Sequence, residues 1–348
     1  MRVSLILAKL SCSLLPASAA LWQENIKTVH KTINRLMALA LTLYVAGCRM
    51  DSKDNEILPE KKREGVHAAF YNSTGSRISI STTSGKLLLC DSNLNLLLTS
   101  REQMDANSSF FSLDDKHIIT GGTHRKLNVW NAGSLQREAT YDLNFNSWTS
   151  IQGFQTLGGC GEQGKVYFYN IKNHDTIRFV LEPEGAFHLY YIKPDTNFVV
   201  SSGRSGYEIN LITRKVAHRY SGHCDWVYCV MPDAAARRIV TASKDSTVKV
   251  FDRKSEKCLA TSFKLDGAVY VSCFNKNGNE VVASTSNGSI YFLDTTLTKV
   301  RLKIKAFNSH INTIHLSPTG SRIVAGSEGG GAKLFSVQSG SLLYQLAN

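Results

Sequence analysis

The sequence predicts an all-β fold, a seven-bladed β-propeller of four-stranded antiparallel blades, over residues 66–348. The first observation is a recurring strand-like phrase, with copies at Lys86–Asp91, Lys126–Asn131, Lys165–Asn170, Thr247–Asp252, Ser289–Asp294 and Ala332–Ser336. These copies end 40, 39, 82, 42 and 42 residues apart, and Tyr207–Leu211 fills the longest gap. The second observation is turn chemistry between alternating segments, which favours hairpins. Units of about 40 residues with four strands each are typical of propeller blades.

Each unit shows the same order of four predicted strands. A first strand ends at a turn such as Ser317–Gly320, and a second strand such as Arg238–Ala242 follows. The recurring phrase is the third strand. The fourth is amphipathic, as in Lys299–Lys305, and Leu342–Leu346 is expected to supply the outer strand of the last blade. Radial repetition of such units leaves only short sheet edges.

Composition bounds the class of protein. The chain has 348 residues, of which 43% are hydrophobic and 20% charged, so a wholly disordered chain is excluded. The 6 Pro and 25 Gly exclude proline-rich low complexity and collagen. Eight Cys are too few for a disulfide scaffold of this length. The net charge of +12 permits an acidic partner without specifying one.

The first 48 residues differ from the rest and are predicted to be a targeting segment. An uncharged apolar run from Leu36 to Gly47 follows Lys31 and Arg35 and ends before Cys48. It is shorter than the roughly 18–20 apolar residues that span a bilayer. A basic start, an apolar core and small residues before a Cys resemble a bacterial lipoprotein signal. The resemblance implies lipidation of Cys48 and cleavage before it.

Other interpretations of this segment stay open. A start codon at Val29 would give a signal of ordinary length and make residues 1–28 an artefact of the gene start. Cleavage after Ala19 would leave residues 36–47 in the mature protein, and Cys48 would then simply follow a buried helix. Residues 49–65 are charged and poor in apolar residues, which is typical of a tether.

The fifth unit, residues 222–252, carries Gly-His at its start, Asp245 in a turn and an aromatic-Asp pair at its end. It resembles a WD repeat. The resemblance implies a hydrogen-bonded blade network of His223, Ser243 and Asp245, which is truncated here because Phe251 stands where the family has Trp. The second unit keeps the tryptophan as Trp130. Another propeller type, such as a quinoprotein-like one, is the alternative.

No catalytic, cofactor-binding or metal-binding motif is apparent. The sequence has no nucleophile elbow, His-Glu-x-x-His or P-loop, and the predicted first strands are nearly free of carboxylates. His223, Cys224, Asp225 and Cys229 do not have the spacing of a zinc site. We therefore expect a protein that is not an enzyme and has no cofactor.

Aromatic residues near the start of the first strands are the candidate partner-binding groups. Trp226 follows Asp225, and Trp148, His188 and His310 are interpreted as holding similar places in other units. Tryptophan is a common interface hot spot, although each Trp could instead pack between blades.

Basic residues cluster on two predicted fourth strands, and we expect them to protect the sheet edges or to contact anionic headgroups. They are Arg214, Lys215, His218 and Arg219 on one strand and Lys299, Arg301, Lys303 and Lys305 on the other. Binding of nucleic acid is disfavoured, because interleaved stacking aromatics are lacking.

These observations predict a non-enzymatic protein-interaction scaffold, anchored through Cys48 in the bacterial cell envelope and facing the periplasm or the exterior. The alternatives are an envelope propeller hydrolase or carbohydrate-binding protein, and a cytoplasmic WD-repeat scaffold. Several Cys at strand positions favour the cytoplasmic alternative, because free thiols are unusual in an oxidising compartment.

Overall fold

The computed structural model describes residues 64–102, 106–122, 126–142, 149–153, 156–170, 175–192 and 197–346. Within those residues, 28 strands form seven four-stranded antiparallel sheets. Every sheet is built from four strands that are consecutive in sequence, so no strand is exchanged between blades. The predicted seven-bladed propeller is confirmed.

The strands, in chain order, have the following bounds. Blades one to three contain β1 (Val66–Tyr71), β2 (Arg77–Thr82), β3 (Leu87–Asp91), β4 (Leu96–Thr99), β5 (Ser108–Phe111), β6 (His117–Gly121), β7 (Lys126–Asn131), β8 (Arg137–Asp142), β9 (Thr149–Gly153), β10 (Thr156–Cys160), β11 (Lys165–Asn170) and β12 (Thr176–Val180). A single 3₁₀ turn, Glu162–Gly164, is present among the described residues and joins β10 to β11. Blades four to seven contain β13 (Ala186–Ile192), β14 (Asn197–Ser202), β15 (Ser205–Asn210), β16 (Lys215–Tyr220), β17 (Val227–Pro232), β18 (Arg238–Ser243), β19 (Val248–Asp252), β20 (Cys258–Thr261), β21 (Val269–Phe274), β22 (Glu280–Thr285), β23 (Ser289–Asp294), β24 (Val300–Lys305), β25 (Ile311–Leu316), β26 (Arg322–Ser327), β27 (Gly331–Ser336) and β28 (Leu342–Gln345).

Burial follows the order of strands within each blade. The second strands are almost wholly buried, as in β18, where only Arg238 is partly exposed. The fourth strands are mostly exposed, as in β20 and β28. Apolar side chains of neighbouring blades pack face to face; Val240 and Val250 of blade five share one core cluster with Val281 of blade six. Burying such faces against each other is the main stabilising contribution.

The first strands of the seven blades surround the propeller axis. Each contacts the first strand of the next blade, and β25 contacts β1 to close the ring. Hydrogen bonds hold the closure. The side-chain amide of Asn312 donates to the Val66 carbonyl at 2.9 Å, and the backbone amide of Tyr71 donates to Nδ1 of His315 at 3.1 Å. A side chain at Gly326 would meet the Val66 side chain at 2.4 Å, so blades seven and one approach closely there.

A buried ion pair joins blades four and five. Glu208 on β15 is 1% exposed and accepts two hydrogen bonds from Arg253, at 2.8 and 2.7 Å. The Tyr220 hydroxyl donates a third bond at 3.0 Å. These bonds hold the pKa of Glu208 below its ordinary value although burial opposes the charged form.

Five of the first strands contain a β-bulge at the same place. The pairing register shifts at the second residue of each of these strands and skips it; the bulged residues are His67, Phe187, Tyr228, Tyr270 and Asn312. A bulge bends its strand and re-aims the side chain of the extra residue. The repeated bulge therefore presents one residue per blade where the first strand begins.

Candidate functional site

The upper face of the propeller, as we name it, is the face at which the first strands begin. Two kinds of segment meet there, the loop that leads into each first strand and the turn that joins the second and third strands. Backbone hydrogen bonds connect them: Lys244 donates to the Trp226 carbonyl at 2.8 Å, and Ser286 donates to the Ala268 carbonyl at 2.8 Å. The same bond recurs in blades one and four, so the face is rigidly braced in four blades.

Blade five carries a polar network under this face. Nδ1 of His223 lies 2.9 Å from Oδ2 of Asp245, and Nε2 lies 2.8 Å from Oγ1 of Thr241. Asp245 also accepts bonds from the Cys224 amide at 3.0 Å and the Thr247 amide at 2.9 Å. Burial opposes the charged form of Asp245, but the bonds from His223 and Thr247 hold the pKa of Asp245 well below its ordinary value.

The strand hydroxyl of this network is Thr241 rather than Ser243. Ser243 instead donates to the Asp225 carbonyl at 3.1 Å and accepts a bond from the Asp245 amide at 3.1 Å. Ser243 therefore fixes the turn, while Thr241, two residues earlier on β18, faces the imidazole of His223. The two hydroxyls lie on the same face of β18, because residues two apart on a strand point the same way, and Thr241 rather than the predicted Ser243 is the one within hydrogen-bond distance of His223.

Blade two holds the complementary half of the network. Nε1 of Trp130 donates to Oγ1 of Thr120 at 2.9 Å, and Trp130 is 1% exposed. Thr120 has the same place in β6 that Thr241 has in β18, and Trp130 has the place of Phe251. Trp130 is thus a structural residue.

Blades four and six use other groups at the equivalent turns. In blade four, Glu182 accepts bonds from the Tyr207 hydroxyl at 2.6 Å and from the Arg204 amide at 2.9 Å. In blade six, Asp266 accepts bonds from the hydroxyls of Thr285 at 2.8 Å and Ser289 at 2.7 Å. A carboxylate thus braces the turn in blades four, five and six. It comes from the turn itself in blade five (Asp245) and from the loop before the first strand in blades four and six (Glu182 and Asp266).

The structure places the predicted partner-binding residues differently. Trp226 and Asp225 lie on the upper face, both half-buried, and the Lys244 ammonium lies 4.8 Å from the Trp226 ring centroid. His310 precedes β25 and pairs with Glu328 at 2.9 Å. His188 does not precede its strand but is the third residue of β13, where burial lowers the pKa of His188 to about 4 and its Nδ1 has no hydrogen-bond partner. Trp148 and Cys48 lie outside the described residues.

Aromatic residues at the bulges join Trp226 and His310 into one surface, which sequence reasoning missed. Ring centroids of Phe187 and Trp226 are 5.5 Å apart, those of Phe187 and Tyr228 are 5.4 Å apart, and those of Tyr228 and Tyr270 are 4.9 Å apart with nearly parallel planes. His310 stacks on Tyr270 at 5.5 Å. The signal in the sequence is a small or β-branched residue followed by an aromatic one at the start of the first strands of blades four to six, β13, β17 and β21.

The wall around the axis is uncharged. The seven first strands, as bounded above, contain no Asp, Glu, Lys or Arg. In the described ranges, no group of three or more His, Cys, Asp or Glu residues is placed to hold a metal ion. No helix within the described part of the chain has the length and apolarity needed to cross a bilayer.

Most basic residues of the two outer strands are engaged by groups of the same chain. Arg219 pairs with Glu182, and His218 lies 3.0 Å from Glu256. On β24, Lys303 lies 3.0 Å from Asp266, Arg301 pairs with Glu280, and Lys305 donates to the Asn287 carbonyl. Arg214, Lys215 and Lys299 are exposed.

Comparisons with known proteins agree with this architecture. The family model for the WD domain, G-beta repeat, matches residues 214–252 and 301–336. Periodic tryptophan protein 2 of Arabidopsis thaliana is 23% identical over 67% of this chain and 27% of its own length. Eukaryotic translation initiation factor 3 subunit I of Homo sapiens is 29% identical over 36% of this chain and 41% of its own length. The chain thus matches less than half of either relative.

Each matched segment consists of one outer strand followed by the first three strands of the next blade, β16–β19 and β24–β27. The second segment matches although Phe307 stands where the motif has its histidine. The chain is a seven-bladed β-propeller that carries WD repeats at these two segments.

Proposed function

We propose that this chain is a non-enzymatic protein-interaction scaffold that binds its partner on the upper face. The observation that carries the proposal is a continuous aromatic surface on the upper face. It is formed by four half-buried residues, Trp226, Phe187, Tyr228 and Tyr270. Large aromatic side chains that are rigid before binding lose little entropy when a partner covers them.

Two further observations support this function. The uncharged wall around the axis offers no acid–base pair of the kind that glycoside hydrolysis uses. One relative is named as a subunit of a eukaryotic translation initiation factor. A propeller built from repeats and carrying an aromatic surface on its upper face is suited to assembly with other proteins, and it is the surface rather than the fold that supports this function.

The test compares three variants of the full chain in cells, after mild crosslinking and mass spectrometry. Trp226→Ala should lose specific crosslinked proteins that the wild type captures, and Tyr344→Ala, which removes an exposed ring on β28, should keep them. Trp226→Ala should destabilise the fold by only about 1–2 kcal/mol, from one aromatic pair and one cation–π contact. Trp130→Ala, at a core position, should cost about 3–5 kcal/mol.

The proposal is wrong if Trp226→Ala retains every partner. It is equally wrong if Trp226→Ala destabilises the chain as much as Trp130→Ala, because Trp226 would then be packing between blades.

The envelope tether is the second part of the proposal and rests on the sequence pattern that ends at Cys48. Cys48→Ser should abolish labelling by a palmitate analogue and leave an uncleaved precursor. Persistent labelling, or a mature terminus at Ala20, would contradict it.

A cytoplasmic scaffold is the second candidate. The cysteines support it, because those of the described residues form no disulfide: Cys90, Cys160, Cys224, Cys229, Cys258 and Cys273. Burial raises the pKa of Cys229 to about 12, so this thiol is protected by its surroundings in either compartment. Fractionation together with the labelling experiment separates the two candidates.

A further inference from the structure

Five rings form one arc across blades four to seven, which we call the aromatic arc: Trp226, Phe187, Tyr228, Tyr270 and His310. Successive ring centroids are 4.9–5.5 Å apart. The length of the arc is therefore at most about 20 Å, which about six residues of extended chain would match. All five residues are half-buried, so each ring keeps an accessible part.

The arc is built by the backbone and not by loop flexibility. Phe187, Tyr228 and Tyr270 are the extra residues of three β-bulges at equivalent places in β13, β17 and β21. Neighbouring blades therefore deliver their rings to one level around the axis. Burial, followed by the proximity of Tyr270 and Asp225, raises the pKa of Tyr228 to about 12.

Three carboxylates lie beside the arc on a chain whose net charge is +12. Asp225 and Glu328 lie at its two ends with side chains 41% and 56% exposed, and Glu184 is an exposed residue before Phe187. The described cation in contact with the arc is Lys244. A partner segment with positive charge thus complements this surface.

Lys244 shows how such a charge is accommodated. Its ammonium lies 4.8 Å from the Trp226 centroid and 3.9 Å from Asp225, so one cation meets a ring face and a carboxylate together. Both partners of this ion pair are more than 40% exposed, and exposed pairs of this kind are weak. An incoming cation with a better fit could displace it.

We propose that the aromatic arc binds an extended protein segment that presents an arginine side chain beside Trp226 and Asp225. This inference rests on the proposed scaffold function and specifies the chemistry of its partner. A guanidinium suits the place because it stacks flat on an aromatic ring and bonds a carboxylate through two N–H groups at once. The remaining rings provide the apolar bed for the flanking residues of the segment.

The test selects ligands from a library of random heptapeptides on the immobilised full-length chain. Selected peptides should be enriched in arginine. Replacing that arginine by citrulline, which keeps the shape and removes the charge, should weaken binding by about tenfold or more. Fluorescence anisotropy of labelled peptides gives the dissociation constants.

Four variants show whether binding occurs at the arc. Tyr270→Ala and Asp225→Asn should each weaken binding about fivefold or more, while Tyr344→Ala on the outer strand should leave it unchanged. Lys244→Gln should strengthen binding, because it removes the cation that competes for Trp226 and Asp225. A merely structural role of Lys244 would not produce that gain, and circular dichroism melts verify that all variants are folded.

Peptides that bind the arc without arginine, including those that present lysine instead, would overturn this inference and leave the scaffold proposal intact. Peptides indifferent to Tyr270→Ala, or no selected peptide at all, would overturn the arc as a peptide site. The scaffold proposal fails separately, if Trp226→Ala keeps all crosslinked partners in cells.

Discussion

Replacing Asp245 by alanine tests whether the polar network of blade five stabilises the propeller. The carboxylate accepts bonds from Nδ1 of His223, the Cys224 amide, and both the amide and the hydroxyl of Thr247, the last at 2.6 Å. His223 is 6% exposed, so its ring nitrogen would lose a partner that water cannot easily replace.

The expected loss in free energy of unfolding is about 3 kcal/mol. A hydrogen bond to a charged group is worth about 1.5–3 kcal/mol, and the bonds here share one acceptor, so their contributions do not simply add. With a urea m-value of about 3 kcal/mol/M, the unfolding midpoint falls by about 1 M. Circular dichroism at pH 7 measures this shift.

Asn287→Ala is the matched control, because Asn287 has the place of Asp245 in the next blade. Asn287 is exposed, and Leu265 stands where blade five has His223. The Asn287 side chain donates one exposed hydrogen bond, to the Asp266 carbonyl, so Asn287→Ala should lower the free energy of unfolding by less than about 1 kcal/mol. Equal midpoint shifts for the two variants would refute the network as a stabilising unit.

The pH dependence of the same variant gives a second check. The folded-state pKa of Asp245 is lowered, so its contribution is complete above its unfolded pKa of about 3.9 and is lost as the pH falls through the lowered value. The difference between wild type and Asp245→Ala should therefore stay constant from pH 7 to about pH 5. A difference that disappears near neutral pH would mean that the carboxylate is not held in its charged form.

Three further predictions concern packing and ring closure. His315 accepts the Tyr71 amide bond only when Nδ1 is unprotonated, and burial lowers the pKa of His315 to about 4. The contribution of His315 to the free energy of unfolding is therefore complete above about pH 6.5 and declines towards pH 4, by up to about 1.4 kcal/mol per pH unit. Urea melts of His315→Asn should show that the stability of this variant depends less steeply on pH than that of the wild type. Gly326→Ala should lower the free energy of unfolding by about 1–3 kcal/mol, because the new methyl group clashes with Val66. In a double-mutant cycle, adding Val66→Ala should restore part of that loss, and losses that simply add for the two substitutions would exclude the clash. Arg253→Met should cost about 3–5 kcal/mol because Glu208 stays buried without its partner, and Glu208→Leu added to it should recover most of the stability; no recovery would show that the pair is not the cause.

The blade plan could be predicted from sequence because it depends on local signals. Spacing of the third strands and the turns between strands are properties of contiguous segments, and the predicted strand Arg238–Ala242 corresponds to β18, Arg238–Ser243. The network partner of His223 could not be predicted with the same security. It depends on which of two hydroxyls on one strand, Thr241 or Ser243, faces the imidazole.

The bulges explain why sequence reasoning located the aromatic surface only in part. Trp226 follows a polar residue in a loop before its strand, whereas Tyr228 and Tyr270 lie inside β17 and β21. In a regular strand, a residue next to a buried neighbour points to the opposite face of the sheet. The extra residue of a bulge breaks that alternation, and this break is visible only in the pairing of two strands.

The same reasoning explains why the arc is confined to part of the ring. Blade seven has Asn312 at its bulge and blade one has His67, and Asn312 is committed to the Val66 carbonyl at the ring closure. The closure therefore takes a polar group at the place where blades four to six carry aromatic rings. Stacking then ends at His310, the last ring before the closure. The bulge of blade seven thus supplies a side chain that braces the ring closure, whereas the equivalent bulges of blades four to six supply rings of the arc.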